Sequence, residues 1–366
     1  MQNAMNLETL LNTVITQTSQ KKDYLADTDK ALTMLFDPES KDLRMLLSGS
    51  DGIRELGISD QAHDQIAGRL GIPLKYYKRL LNDHGDMVAY QVNELFEREP
   101  ETRMIRVLDG KVRAFLSANY RRVDNDKVLE NMLPQLINGD MQTIPLSTNV
   151  TDNKMYLKVL FDDDRLKQEI GTVRGEADVV QPGFILSNSE TGQGSLSVKG
   201  FFYRSYCTNG CHFGGINAVE YKRSHRGGRL INDSEYTILS PETEALEDQL
   251  IWSQATDVIK GLSSPEVVQK LGDNIRAANN TATVEKPTEA VDAVARELGI
   301  RESEKTGVLE SFLQDGIYSK WGMVNAITEQ ANRDDISYDR ATELEALGGK
   351  LLDFTESQWN RIAVAA

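Results

Sequence analysis

Between Gly183 and Arg229 the chain reads GFILSNSETGQGSLSVKGFFYRSYCTNGCHFGGINAVEYKRSHRGGR, the densest run of residue types able to bind or transform a ligand. From Lys199 onward this run holds six basic residues, Lys199, Arg204, Lys222, Arg223, Arg226 and Arg229, against the single acid Glu220. The whole chain carries a net charge of −15. The rings of Phe201 and Tyr203 are interleaved with those cations. Cations contact phosphates and rings stack on bases, so the pattern suits a polyanion carrying flat bases.

A second cationic stretch lies upstream. Arg103–Leu108, the pair Asp109-Gly110 and Lys111–Leu116 read as a β-hairpin with a two-residue loop. That loop predicts Leu108 opposite Lys111, Arg106 opposite Arg113 and Met104 opposite Phe115. Ile105, Val107, Val112, Ala114 and Leu116 then form an apolar face, while Arg106, Lys111 and Arg113 share the other face with Phe115. Opposed arginines repel unless an anion lies between them. Arg121 and Arg122 follow beside Tyr120.

Other chemistries fit less well. Glu190, Glu220 and Lys222 could hold a magnesium ion and stabilise charge in a nuclease. Cys207, Cys211, His212 and His225 lack the second tight pair of a zinc knuckle, so a packed Cys207 with an incidental Cys211 is expected, and no metal. No phosphate-binding Gly-x4-Gly-Lys-Ser/Thr loop or Gly-x-Ser-x-Gly elbow occurs, and Gly192-x-Gly194 lacks the third glycine of a dinucleotide site. No cofactor is expected. Asn188, Ser189, Glu190 and Gly192, then Arg204, Cys207, Asn209 and Gly210, then His225, place polar groups in strand-like sequence. Such groups either satisfy one another inside a fold or line a pocket.

The elements that must position these residues can be read from periodicity. The first hundred residues read mainly as helices with one short strand at Leu43–Leu47. Ser59 caps a helix that Gly71 and Pro73 end, and a second helix follows from Lys75 to Asn82. Asn125–Ile137 reads as a helix; Lys154–Phe161, Val179–Asn188 and Ser195–Tyr206 read as strands. In the last strand Leu196, Val198 and Phe202 point one way, and Ser197, Lys199, Phe201 and Tyr203 the other. From Pro241 the chain reads as helical, with a joint at Asn279–Pro287 and a core stripe of Trp321, Val324, Ile327 and Ala331. The fold class is α+β, a largely antiparallel central sheet with helical N- and C-terminal regions. Its parts are 1–97, a core at 98–240 and an acidic region at 241–366.

Charge follows the same division. Residues 1–100 hold 11 basic and 16 acidic residues, 101–232 hold 18 and 15, and 233–366 hold 12 and 25. This balance excludes a protein that coats DNA by bulk charge but leaves room for a basic groove in the middle. No apolar run approaches the ~18 residues of a membrane span, and the N-terminus lacks the pattern of a secretory signal. With only two cysteines, a cytoplasmic location is expected.

AFLSANYRRVDNDKVLENML, NSETGQGSLSVKGFFYRSYCTNG, the SHRGG turn and KWGMVNAITEQA together resemble the phage/plasmid-like protein family built on the domain of unknown function 932, over roughly residues 40–350. Cys211 stands where that family favours an apolar residue. The resemblance implies a mobile-element protein of a bacterial host cell, near replication, recombination or counter-defence. The expectation is a protein that binds or anneals single-stranded nucleic acid. Arg106, Lys111, Arg113, Arg121, Arg122, Lys199, Arg204, Lys222, Arg223, Arg226 and Arg229 would contact phosphates; Phe115, Tyr120, Phe201 and Tyr203 would stack. Candidate partners are copies of itself and a replication or recombination protein. A magnesium-dependent nuclease and a counter-defence or assembly protein binding a host protein are the alternatives.

Overall fold

The computed structural model describes residues 4–49, 52–137, 142–173, 175–204, 209–212, 220–224 and 241–364. Cys207, His225, Arg226 and Arg229 lie outside the described residues. The chain opens with α1 (Leu7–Gln20), whose first turn is capped by Asn6 accepting from the Thr9 amide at 2.7 Å. There follow β1 (Lys22–Asp27), α2 (Thr28–Ala31), β2 (Leu32–Phe36), β3 (Leu43–Gly49) and β4 (Gly52–Ile58). Next come α3 (Asp60–Arg69), α4 (Leu74–Asp83), α5 (Gly85–Arg98) and the hairpin β5 (Thr102–Leu108) and β6 (Lys111–Ser117).

These strands make a six-stranded sheet in the order β1-β5-β6-β4-β3-β2, antiparallel except where β4 runs parallel to β6. The first hundred residues are mainly helical as expected, but they carry four strands rather than one, and the sheet takes strands from both sides of residue 97. The strands are short and half-buried: β2 buries Leu32 and Met34, and β3 buries Leu43, Met45 and Leu47, on the face that meets Ile66, Tyr77, Val88 and Val92 of α3–α5. Ser59 caps α3 as expected, accepting from the Ala62 amide.

The hairpin departs from its expected register in one place. Leu108 does face Lys111, but a bulge between Arg106 and Val107 sets Arg106 opposite Ala114 rather than Arg113. A one-residue slip exchanges the faces of a strand. Phe115 accordingly joins Ile105, Val107 and Val112 in the first core, stacked on Phe96 at 5.8 Å, while Ala114 and Leu116 turn to the opposite face and form a small buried cluster with Met104. The two arginines are not opposed, and both remain on the side facing the rest of the molecule.

The second sheet follows α6 (Asn125–Ile137). It contains β7 (Thr143–Val150), β8 (Met155–Phe161), β9 (Gln168–Val173), β10 (Glu176–Asn188), β11 (Leu196–Arg204), β12 (Asn209–His212) and β13 (Glu220–Arg223). The order is β12-β11-β10-β8-β7, with β13 on β11 and β9 on β10, all antiparallel. One face, with Leu157, Phe184, Leu186, Val198 and Phe202, belongs to the large core that takes in Leu10 of α1 and Met132 of α6. Cys211 is buried in that core.

The C-terminal region is helical as expected: α7 (Pro241–Leu262), α8 (Pro265–Asn279), α9 (Pro287–Leu298), α10 (Glu302–Asp315), α11 (Lys320–Glu329), α12 (Tyr338–Leu352) and α13 (Glu356–Ala363). The stripe of Trp321, Val324, Ile327 and Ala331 is core. Across the other face of the second sheet lies α12. Its Glu345 accepts from the fully buried Lys158 ammonium at 2.5 Å, and Tyr338 packs on Tyr156 and Ile185. Burial pushes the Lys158 amine down, against the pull of Glu345. The class is thus α+β, with two sheets where one was expected. Among the described residues no helix is long and apolar enough to cross a membrane.

One buried group gives the fold a pH dependence. Burial pushes His63, hydrogen-bonded to Tyr77 at 2.9 Å, down to about 4, against the raising effect of Asp60 and Asp64. The unfolded chain binds a proton at this site near pH 6.5 and the folded one does not, so stability falls as pH drops from ~6.5 to 4. We expect denaturant unfolding to show a loss of about 3 kcal/mol over that range in the wild type. His63→Gln should lack this component; a wild-type curve that stays flat would contradict the assignment.

Candidate functional site

At and just beyond the end of β10, Asn188, Ser189 and Glu190 of the polar motif are buried where the two sheets meet, and Gly192 is exposed. Asn188 donates to the Val123 carbonyl at 2.8 Å and to Asn125 Oδ1 at 2.9 Å. Ser189 Oγ donates to the Asn153 carbonyl and accepts from the amide of Gln193, closing the turn. Gly192 sits in that turn at φ +79°, where a side chain would be strained, and a Cβ would meet Leu116 Cδ2 at 2.7 Å.

Glu190 is the hub. Only 2 % exposed, its Oε1 accepts from the Asn125 amide at 2.7 Å and from Lys21 at 3.3 Å, and its Oε2 pairs with Arg113 at 3.0 Å. Its carbonyl accepts from Arg106, whose guanidinium also forks onto Asp23 and reaches Asp124 at 2.6 Å. Tyr120 donates to the Ser189 carbonyl at 3.1 Å, and Gln65 to that of Thr191 at 2.7 Å. The bulge is what lets Arg106 and Arg113 reach this turn together.

Asp124, Asp126 and Glu190 bring carboxylate oxygens within 4.8 Å of one another. The Lys21 ammonium contacts all three, at 3.3, 2.7 and 3.3 Å, so the protein supplies the cation from its own chain. Burial would raise Asp124, but the Arg106 guanidinium and Lys21 hold it below the usual carboxylate range. Burial would lower the Lys21 amine, yet Glu190, Asp126 and Asp124 raise it.

The expected site residues therefore divide. Phe115 and Phe201 are buried and unavailable for stacking. Arg106 and Arg204 face inward; the latter forks onto the buried Asp178 at 2.7 and 2.8 Å. Arg121 pairs with Glu247 and Asp248 of α7, and exposed Arg122 lies 3.4 Å from Asp23. Tyr120, Tyr203 and Arg223 are half-buried. Glu190 and Glu220 do not come together. Glu220 is paired in register with Lys199, which faces Ile185, whereas Glu190 lies beyond the end of β10.

The cations that do converge, Lys199 and Lys222, line a pocket of about 650 Å³ between the second sheet and α12. Lys154, Arg301 and Arg340 line it too, beside the carboxylates Asp339 and Glu343; Arg340 is neutralised by a fork onto the buried Glu304. Both acids are engaged. Asp339 accepts from Thr151, Tyr156 and Asn153, and Glu343 pairs with Arg340 at 2.6 Å. Among the described residues neither Lys154 nor Lys222 makes an ion pair, while Lys199 pairs with Glu220 at 3.0 Å.

A second pocket, of about 570 Å³, holds Lys111 and Arg113. Asn153 lines both pockets, and Gln193 of the first donates a hydrogen bond to Gln61 of the second. Sequence reasoning missed Lys154, Asn153, Arg301 and Asp339. The alternation of β8, which sends Tyr156 to the same face as Lys158, carried a signal for the strand but none for the pocket.

The family model for "Domain of unknown function (DUF932)" matches residues 114–347, more than half of the chain. The protein belongs to that family. The match takes in the whole second sheet, the Asn188–Gly192 turn and most of α12, and it begins inside β6. No curated protein and no solved structure matches the chain.

The hub is testable by itself. Glu190→Gln leaves Arg113 and Lys21 without the anion they share, and breaking a buried pair in this way costs ~3–5 kcal/mol. We expect an unfolding free energy lower by about 3 kcal/mol in Glu190→Gln; a change under about 0.5 kcal/mol would show that the joint does not rest on it.

Proposed function

We propose that the protein binds single-stranded nucleic acid along the cleft that runs from Lys111 and Arg113 past Asn153 to Lys154, Lys199 and Lys222. The observation that carries this reading is the excess of cations in the larger pocket. Among the described residues Lys154, Lys222 and Arg301 line it without an ion pair, in a chain whose net charge is −15. A protein so acidic does not gather unpaired lysines around a concave surface without a electrostatic cost that a polyanion relieves.

The chemistry is weighted toward phosphates. Phe115 and Phe201 are indoors, and Tyr156, which lines the larger pocket, is itself buried with its hydroxyl donating to Asp339. Sequence preference is accordingly weak, because phosphate contacts position a strand without reading it. The resemblance of the central motifs supports a setting in phage or plasmid replication or recombination, in the cytoplasm of a bacterial host. Annealing and self-association along the strand belong to the same reading.

Fluorescence anisotropy with a labelled single-stranded oligonucleotide tests it. Affinity should fall with salt at a slope of about −0.7 per phosphate contacted. Lys154→Glu with Lys222→Glu should weaken binding by at least about tenfold. Absence of binding at low salt would sink the reading, and magnesium-dependent fragmentation of the oligonucleotide would turn it toward a nuclease.

A further inference from the structure

We propose that the larger pocket receives a phosphate monoester at the end of a strand, and that the protein thereby recognises termini. This deepens the nucleic-acid reading and rests on it.

The argument starts from charge. A phosphodiester inside a strand carries one negative charge and two free oxygens, whereas a terminal monoester carries about −1.5 to −2 and three. The pocket is built for the denser anion. Lys154 enters from the residue before β8, Lys199 from β11 and Lys222 from β13, and Arg301 faces them from the helical side. In register, Lys222 stands opposite Ser197, and Ser197 opposite Ser187. The hydroxyls of Ser187 and Ser197 lie 3.0 Å apart, and both residues line the pocket.

Helix ends add to this. Arg301 is the N-cap of α10, a helix of 14 residues, and Ser337 the N-cap of α12, a helix of 15. Both caps line the pocket, so two positive dipole ends reach one cavity already lined by lysines. The carboxylate nearest the start of α12, Asp339, is fixed by three uncharged donors, Thr151, Asn153 and Tyr156, and its charge is one that the cations of the pocket must outweigh.

Shape agrees. The cavity lies between the face of the second sheet and α12, while the route toward Lys111 passes Asn153 and the Gln61–Gln193 bond. A strand lying along Lys111 and Arg113 would bring its end group here.

The test uses one internally labelled oligonucleotide in three forms, bearing a 5′-phosphate, a 3′-phosphate or hydroxyls at both ends, at one salt concentration. One phosphorylated form should bind about tenfold or more tightly than the hydroxyl form, the worth of a charge-assisted hydrogen bond. The form that gains identifies the polarity of the strand. Lys222→Ala, a change at an exposed side chain, should bring that ratio close to one. Equal affinity for all three forms overturns the terminal-phosphate inference and leaves the nucleic-acid reading standing. A ratio that survives both Lys222→Ala and Lys154→Ala places end recognition elsewhere and also overturns it. Binding of none of the three overturns the inference and the reading beneath it.

Discussion

A single buried carboxylate, Glu190, joins the two sheets. It gathers Lys21 from the segment after α1, Arg113 from the first sheet and the amide of Asn125 at the start of α6. A charge taken out of water is tolerable only when paired and fully hydrogen-bonded, and here every partner comes from a different element. The surrounding ions extend the same principle: Arg106 links Asp23 and Asp124, and Lys21 sits among three acids. The arrangement specifies one geometry between the sheets, because sliding either would strand several charges at once.

The cleft inherits its shape from that joint. Asn153 and Gln193 belong to the second sheet's loops, Gln61 and Lys111 to the first, and they meet because the Asn188–Gly192 turn is locked between them. On the far side α12 is fixed by the Lys158–Glu345 pair and by the Tyr156–Tyr338 contact at 5.3 Å. The lysines around the pocket are thus carried by rigid strands. The motif residues hold the walls of the pocket in place rather than lining it.

Much of the second sheet was legible in the sequence. The strands β8, β10 and β11, the helix α6 and the alternation of Leu196, Val198 and Phe202 follow from period and turn residues, which depend on neighbours close in the chain. The first sheet was less so. Its β3 strand was legible at Leu43–Leu47, but β2 is five residues long, and its pattern of Leu32 and Met34 is too brief to outweigh the helices around it. The bulge at Arg113 left no local mark either: Asp109-Gly110 sets the loop, and the extra residue further along is demanded by Glu190, far away in sequence. That one shift is why Phe115 was expected outside and lies inside. Lys154 and Arg301 became site residues only through the packing of α10 and α12, information that no window of sequence contains.

Cross-linking addresses the central claim, that a single strand lies along the joint between the sheets. A photoreactive thymidine oligonucleotide, irradiated on the protein at low salt and mapped by mass spectrometry, should attach within the segments around Lys111, Asn153–Lys154 and Lys222. Attachment confined to the exposed faces of α4 and α5, or to α13, would contradict the account.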